Sequence, residues 1–159
     1  MRIIVLLLTF LLSFNSSGQS SYFELKEKFN GEYGEWSYDN LEARIAFLDS
    51  LRNVDLAFGR EKYLLDLGTA YGWRYNLTIS DHDQTMSLEA YLQCWEEFAS
   101  QDALFQVMSI YAFVECSKGL KYAEVMNDLV QREELQDESD KDKFLSQISL
   151  IRQICTDQN

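Results

Sequence analysis

Not one proline occurs in the 159 residues of this chain, and glycine occurs only seven times. Proline presets φ in turns and glycine reaches positive φ, so sheets and loop-rich folds lean on both. Their scarcity favours long uninterrupted helices. The chain therefore reads as all-α: a single-domain antiparallel helical bundle, or a short stack of helical hairpins, of about six helices. With 47% hydrophobic and 14% aromatic residues it can bury a full core and falls outside the disordered class.

The N-terminus reads as a secretory signal peptide. Arg2 supplies a positive start, residues 3–12 are apolar except for Thr9, and Ser16-Ser17-Gly18 places small residues before Gln19. A membrane anchor needs about 20 apolar residues, and Ser13, Asn15, Ser16 and Ser17 interrupt too early. The first cysteine is Cys94, so no lipid-bearing cysteine succeeds the segment. The expectation is cleavage near Gly18-Gln19 and a secreted or periplasmic product. Residues 19–38 would then form an aromatic N-terminal arm and residues 39–155 the all-α domain.

Charge narrows the partners. The formal net charge is -12, and loss of Arg2 with the leader takes it to -13. Such a surface repels phosphate backbones and anionic lipid heads, so nucleic acid and membrane insertion of the mature chain are not expected, whereas a basic protein partner is.

Hydrophobic spacing places the helices. After a short stretch over 22–29, Asn30, Gly31 and Gly34 break the periodicity. Asp39 with Glu42 has capping-box spacing for a helix over 39–58, with Leu41, Ile45, Leu48, Leu51 and Leu56 inward and Glu42, Arg44, Asp49 and Arg52 facing away. Phe58-Gly59 serves as its stop, and the next helix runs over 60–75 with Gly68 in mid-helix, where close approach of a neighbour would compensate the glycine. A polar connection over 76–84 leads to helices over 85–99 and 101–114, the latter apolar nearly all round and so the buried centre. Ser117-Lys118-Gly119 makes a turn before helices over 120–136 and 143–155.

Two segments share a spacing, Leu64-x-x-Leu67-Gly68-x-x-Tyr71 and Leu104-x-x-Val107-Met108-x-x-Tyr111. This pattern resembles the first helix of a tetratricopeptide repeat, although the second copy lacks the glycine and the offset from Gly68 to Met108 is 40 where that family has about 34. The resemblance covers about half of the mature chain and implies a scaffold that holds a peptide or protein without chemistry of its own.

Three cysteines in an oxidising compartment predict one disulfide and one remaining thiol. If the last three helices run up, down and up, Cys116 and Cys155 lie at one level of the bundle. Cys94 precedes the turn near Gln101 by seven residues and Cys116 comes 15 after it. That axial mismatch of about 12 Å exceeds the separation of about 7 Å that a disulfide tolerates. The predicted pair is Cys116–Cys155, with Cys94 buried near Trp95 or, alternatively, linked to another chain.

No constellation rises to a catalytic signature. Asp81-His82-Asp83 is the densest group of ligand-type residues, but a calcium loop beginning at Asp81 would place Met86 where glycine is needed and Leu92 where a bidentate acid is needed. Neither a metal nor a cofactor is expected. Glu32, Glu35 and Glu115 are the candidates for a carboxylate acid/base, and Asn76-Leu77-Thr78 fits a glycosylation acceptor. Tyr33, Trp36, Tyr38, Trp73 and Tyr75 are the candidate binding residues, since aromatics near loops and helix ends often anchor interfaces. Three functions compete: a non-catalytic protein-binding scaffold or adaptor, an acidic inhibitor or immunity-type protein that neutralises a basic partner, and a hydrolase with a carboxylate acid/base.

Overall fold

The computed structural model describes residues 21–56 and 58–157; the leader segment and its cleavage position lie outside the described residues. Among the described residues there are seven α-helices, one 3-10 turn and no strand, so the all-α reading is borne out. The helices are α1 (Tyr22–Tyr33), α2 (Leu41–Ser50), α3 (Arg60–Thr78), α4 (Asp81–Phe98), α5 (Gln101–Val114), α6 (Cys116–Gln131) and α7 (Lys141–Asp157), the 3-10 turn at Glu138–Asp140 leading into α7. Their contacts group into two compact units, one ending at Ser87 and the other beginning at Leu88, with the division inside α4.

In the first unit α1 is a full helix that continues past Asn30 and Gly31. Ser21 caps it through a capping box with Glu24, a signal present in the sequence as Ser21-x-x-Glu24. Tyr22, Leu25 and Phe29 form its buried stripe. Helix α2 starts at Leu41, not at the expected Asp39 cap, because Asn40 occupies the N-cap position. Leu41, Ile45, Leu48, Leu51 and Leu56 are buried as their spacing requires, but Arg44, expected to face away, is only 1% exposed. The reason is geometric: residues 41, 44, 45 and 48 lie on one helical face, so an arginine at 44 enters the stripe. Helix α2 ends at Ser50, well before Phe58, and Gly59 instead opens α3 with φ +84°.

Helices α3 and α4 extend into what the sequence suggests is a polar connection. Thr78 bonds back to Arg74 O and Asp83 takes a buried place in the first turn of α4, so side-chain partners complete both ends. At the mid-helix glycine, Ser87 Oγ of α4 donates to Gly68 O at 2.7 Å.

In the second unit α5, α6 and α7 pack against one another around Leu104, Met108, Ala112, Ala123, Met126, Val130, Phe144, Ile148 and Ile151. Gln101 at the start of α5 bonds the chain beyond the end of α6, donating to Glu134 O and accepting from Gln136 N, which makes those helices antiparallel. The Cys116–Cys155 disulfide joins the start of α6 to the end of α7, with Cα atoms 5.4 Å apart, as the up-down-up layout predicts. Cys94 is fully buried and takes no part in that disulfide.

Two details depart from expectation. Helix α5 presents Phe113 and Val114 to solvent, 71% and 52% exposed, so its C-terminal turn is not part of the buried centre. Gly119 lies in the first turn of α6, where a Cβ would stand 2.8 Å from Ala112 N and 2.9 Å from Ala112 Cα, and the helix crossing therefore needs a residue without one. No helix among the described residues is long and apolar enough to cross a membrane.

Candidate aromatic and acidic docking face

The loop between α1 and α2 is stapled by a single asparagine. Asn40 Nδ2 donates to Tyr33 O at 2.9 Å and to Glu35 O at 2.7 Å, while its Oδ1 accepts from Ser37 N at 3.2 Å. That side chain is spent on the loop and makes no cap bond to α2. Gly34, at φ +82°, turns the chain out of α1, and its carbonyl accepts from Arg44 Nη2 at 3.1 Å. Residues 34–40 are thus held by polar bonds from two side chains.

Arg44 is the centre of this arrangement. Its guanidinium lies between the rings of Phe29 and Trp36, 4.7 and 4.6 Å from their centroids, and Nη2 also donates to Asn30 Oδ1 at 2.9 Å. Burial pulls its pKa below the ordinary arginine value, opposed chiefly by Tyr22 and Asp66, and Nε has no hydrogen-bond partner. Such a group is retained where the two ring faces compensate part of its lost hydration.

Around Arg44 the structure brings together three of the five aromatics that the sequence singles out. Trp36 meets Trp73 edge to face at 5.4 Å, and Tyr38 stacks on Trp73 at 4.7 Å with the planes 26° apart. Tyr38 is 55% exposed. Tyr33 belongs to a second stack, 4.7 Å from Phe29, which in turn stacks on Phe47 at 4.6 Å. Tyr75 is half-buried further along α3 and stands outside both stacks. Glu32, Glu35, Asp39 and Glu42 are exposed on the same stretch of chain, with Glu42 bonded to Arg74.

A second network centres on Arg74, the residue after Trp73 on α3. Arg74 reaches Asp83 through Nε at 3.0 Å and Nη2 at 2.7 Å, and Glu42 through Nη1 at 2.9 Å. The hydrogen bonds from Arg74, above all, hold the Asp83 carboxyl below its ordinary range. Of the Asp81-His82-Asp83 group, Asp83 is buried and paired with Arg74, while Asp81 and His82 are exposed. Among the described residues no group of three His, Cys, Asp or Glu side chains is placed to hold a metal ion.

A third buried charged group, Asp66, carries no motif that would single it out in the sequence. It accepts from Tyr22 OH at 2.5 Å and pairs with Lys26 at 2.7 Å and Lys62 at 3.1 Å, tying α1 to α3. Burial, reinforced by the Asp66 charge, pushes the Tyr22 phenol well above its ordinary value. The signal that could have found Arg44 and Asp66 is their phase on the apolar stripes of α2 and α3, which spacing shows and polarity conceals.

None of the three acid/base candidates, Glu32, Glu35 and Glu115, is buried. Glu115 is held low by Lys118, 2.8 Å away, opposite to the raised carboxyl that a general acid requires.

Comparison with known proteins found no matching family model, no matching curated protein and no matching solved structure.

Proposed function

We propose that this chain is a secreted or periplasmic, non-catalytic protein-binding module that docks a basic segment of another protein on the face formed by Trp36, Tyr38 and Trp73. One observation carries the reading: a Tyr38–Trp73 stack, with Tyr38 55% exposed and Trp73 half-buried, lies against Trp36 on a segment that carries exposed carboxylates, in a chain of charge -12. Ring faces attract cations, and aromatic anchors rimmed by charge are the usual make-up of a binding hot spot. The apolar run over 3–12 and the Cys116–Cys155 disulfide support an oxidising compartment outside the cytoplasm.

The charge favours one version of this reading, an acidic inhibitor or immunity-type protein whose opposite charge speeds association with its target. A tetratricopeptide-like scaffold is the other version, supported by the spacing around Gly68 and Met108. The open setting of Glu32, Glu35 and Glu115 offers no support to the hydrolase alternative.

The test compares the protein and its Trp73→Ala variant as bait against the extracytoplasmic fraction of the source cell, at low and high salt. A stoichiometric basic partner, lost at high salt and lost with Trp73→Ala, is the expected result. Capture of the same set by both baits, or of no partner by either, overturns the reading.

A further inference from the structure

Helix α1 carries a glycine that the fold does not use. Gly31 lies inside the helix, where glycine is destabilising relative to alanine, and a Cβ built there meets nothing within 4 Å. Neither close packing nor positive φ explains it. What it does is leave a bare stretch of helix surface in an open groove of about 420 Å³ lined by Phe23, Lys26, Glu27, Asn30, Gly31 and Glu35. Positions 23, 26, 27, 30 and 31 form one helical stripe, and Glu35 comes from the stapled loop.

We propose that this groove receives one arginine side chain of the basic partner, its stem lying over Gly31 and its guanidinium meeting Glu27 and Glu35. The inference rests on the basic-partner reading and adds a site to it. Charge complementarity selects the occupant. The lining carries two carboxylates, Glu27 and Glu35, against one cation, Lys26, whose Nζ is engaged by Asp66 on α3 at 2.7 Å, so the lining keeps a net negative charge. A planar guanidinium with five N–H donors can bridge two carboxylates, whereas an ammonium acts as a point charge.

The wall is positioned before any ligand arrives. Arg44 Nη2 donates to Asn30 Oδ1, which turns the Asn30 amide so that Nδ2 donates to Glu35 Oε2 at 3.3 Å. Phe23, 56% exposed at the other end of the stripe, offers an apolar surface for the residue beside the arginine. Such preorganisation lowers the ordering cost of binding.

The test titrates the isotope-labelled protein with N-acetyl-arginine amide, N-acetyl-lysine amide and N-acetyl-citrulline amide, tracking backbone amides by NMR. Saturable shifts at Glu27 and Gly31 with arginine, absent with the neutral isostere citrulline and weaker with lysine, are expected. Glu35→Gln should weaken arginine binding about tenfold, the loss of one charge-assisted contact. Gly31→Leu should abolish it while leaving the thermal midpoint unchanged or raised, a split that a purely structural glycine would not produce. Equal response to citrulline or lysine, no shift at Gly31, or unaltered binding by Gly31→Leu overturns the proposal. A parallel titration with the capped peptide Arg-Gly-Arg-Gly-Arg separates the two readings. Response at the Trp36 and Trp73 indole N–H without Gly31 removes the groove and keeps the docking face. Response at Gly31 alone does the reverse.

Discussion

The two units of this molecule solve burial in different ways. The second surrounds an apolar cluster from Leu104 to Ile151 and closes it with a disulfide. The first buries Arg44, Asp66 and Asp83 among its aromatics, and each charged group has partners across helices. An apolar core tolerates any volume-matched occupant, but a buried charge tolerates only its complement, so the first unit trades stability for defined geometry. The Tyr38–Trp73 stack and the α1 groove both lie in that first unit.

The largest effect should come from the disulfide. Replacing Cys116 and Cys155 together by serine opens a loop of sequence separation 39 and should cost the second unit about 4 kcal/mol. Hydrogen exchange read by mass spectrometry should show the loss in α5–α7 with helices α1–α3 unchanged; equal loss in both would erase the contrast. Next is Arg74→Met, which leaves Asp83 buried without its cation and should cost the first unit about 3 kcal/mol at neutral pH. Because the folded carboxyl of Asp83 lies below its unfolded value of 3.8, the stability it contributes is present above that pH and is lost as pH falls through the folded value. The difference between wild type and Arg74→Met should therefore shrink below pH 3.8 in acid unfolding curves.

Gly119→Ala should cost the second unit about 2 kcal/mol, because the added methyl meets the Ala112 backbone and not a side chain that can swing away. A neutral outcome in a denaturant melt would show that α5 and α6 can separate freely. The smallest effect has the opposite sign. Tyr63 is 2% exposed and its hydroxyl has no hydrogen-bond partner, so Tyr63→Phe should stabilise the first unit by about 1 kcal/mol. Burial pushes its phenol up to about 12 from 10.0, so the stability tied to the neutral form holds below pH 10 and drains as pH rises towards 12. Alkaline melts of Tyr63→Phe should lose part of that slope, with the other raised phenols, Tyr22, Tyr33, Tyr71 and Tyr122, keeping the remainder.

The candidate face is half legible in the sequence. Trp36, Tyr38 and Trp73 stand out as aromatics beside loops and helix ends, and the fold does join them. Tyr33 and Tyr75 share those features but lie elsewhere, since sequence position does not say which rings meet across helices. Polarity points Arg44 towards solvent, whereas its phase on α2 dictates the interior. Gly31 has the character of a helix breaker, yet one glycine costs a helix only about 1 kcal/mol, and the capping box at Ser21 with the buried stripe of Tyr22, Leu25 and Phe29 outweighs it.

By itself, the sequence determined the features that obey local rules. The absence of proline and the three- and four-residue spacing of apolar side chains made the chain all-α, and helix direction with rise per residue chose Cys116 and Cys155 over Cys94. Only the tertiary structure decided the fate of the charges: Arg44 between two rings, Asp66 beneath Tyr22 and two lysines, Asp83 clasped by Arg74. A charged side chain can be buried only where distant parts of the chain supply its partners. Those partners lie as many as 44 residues away, beyond the reach of any periodicity.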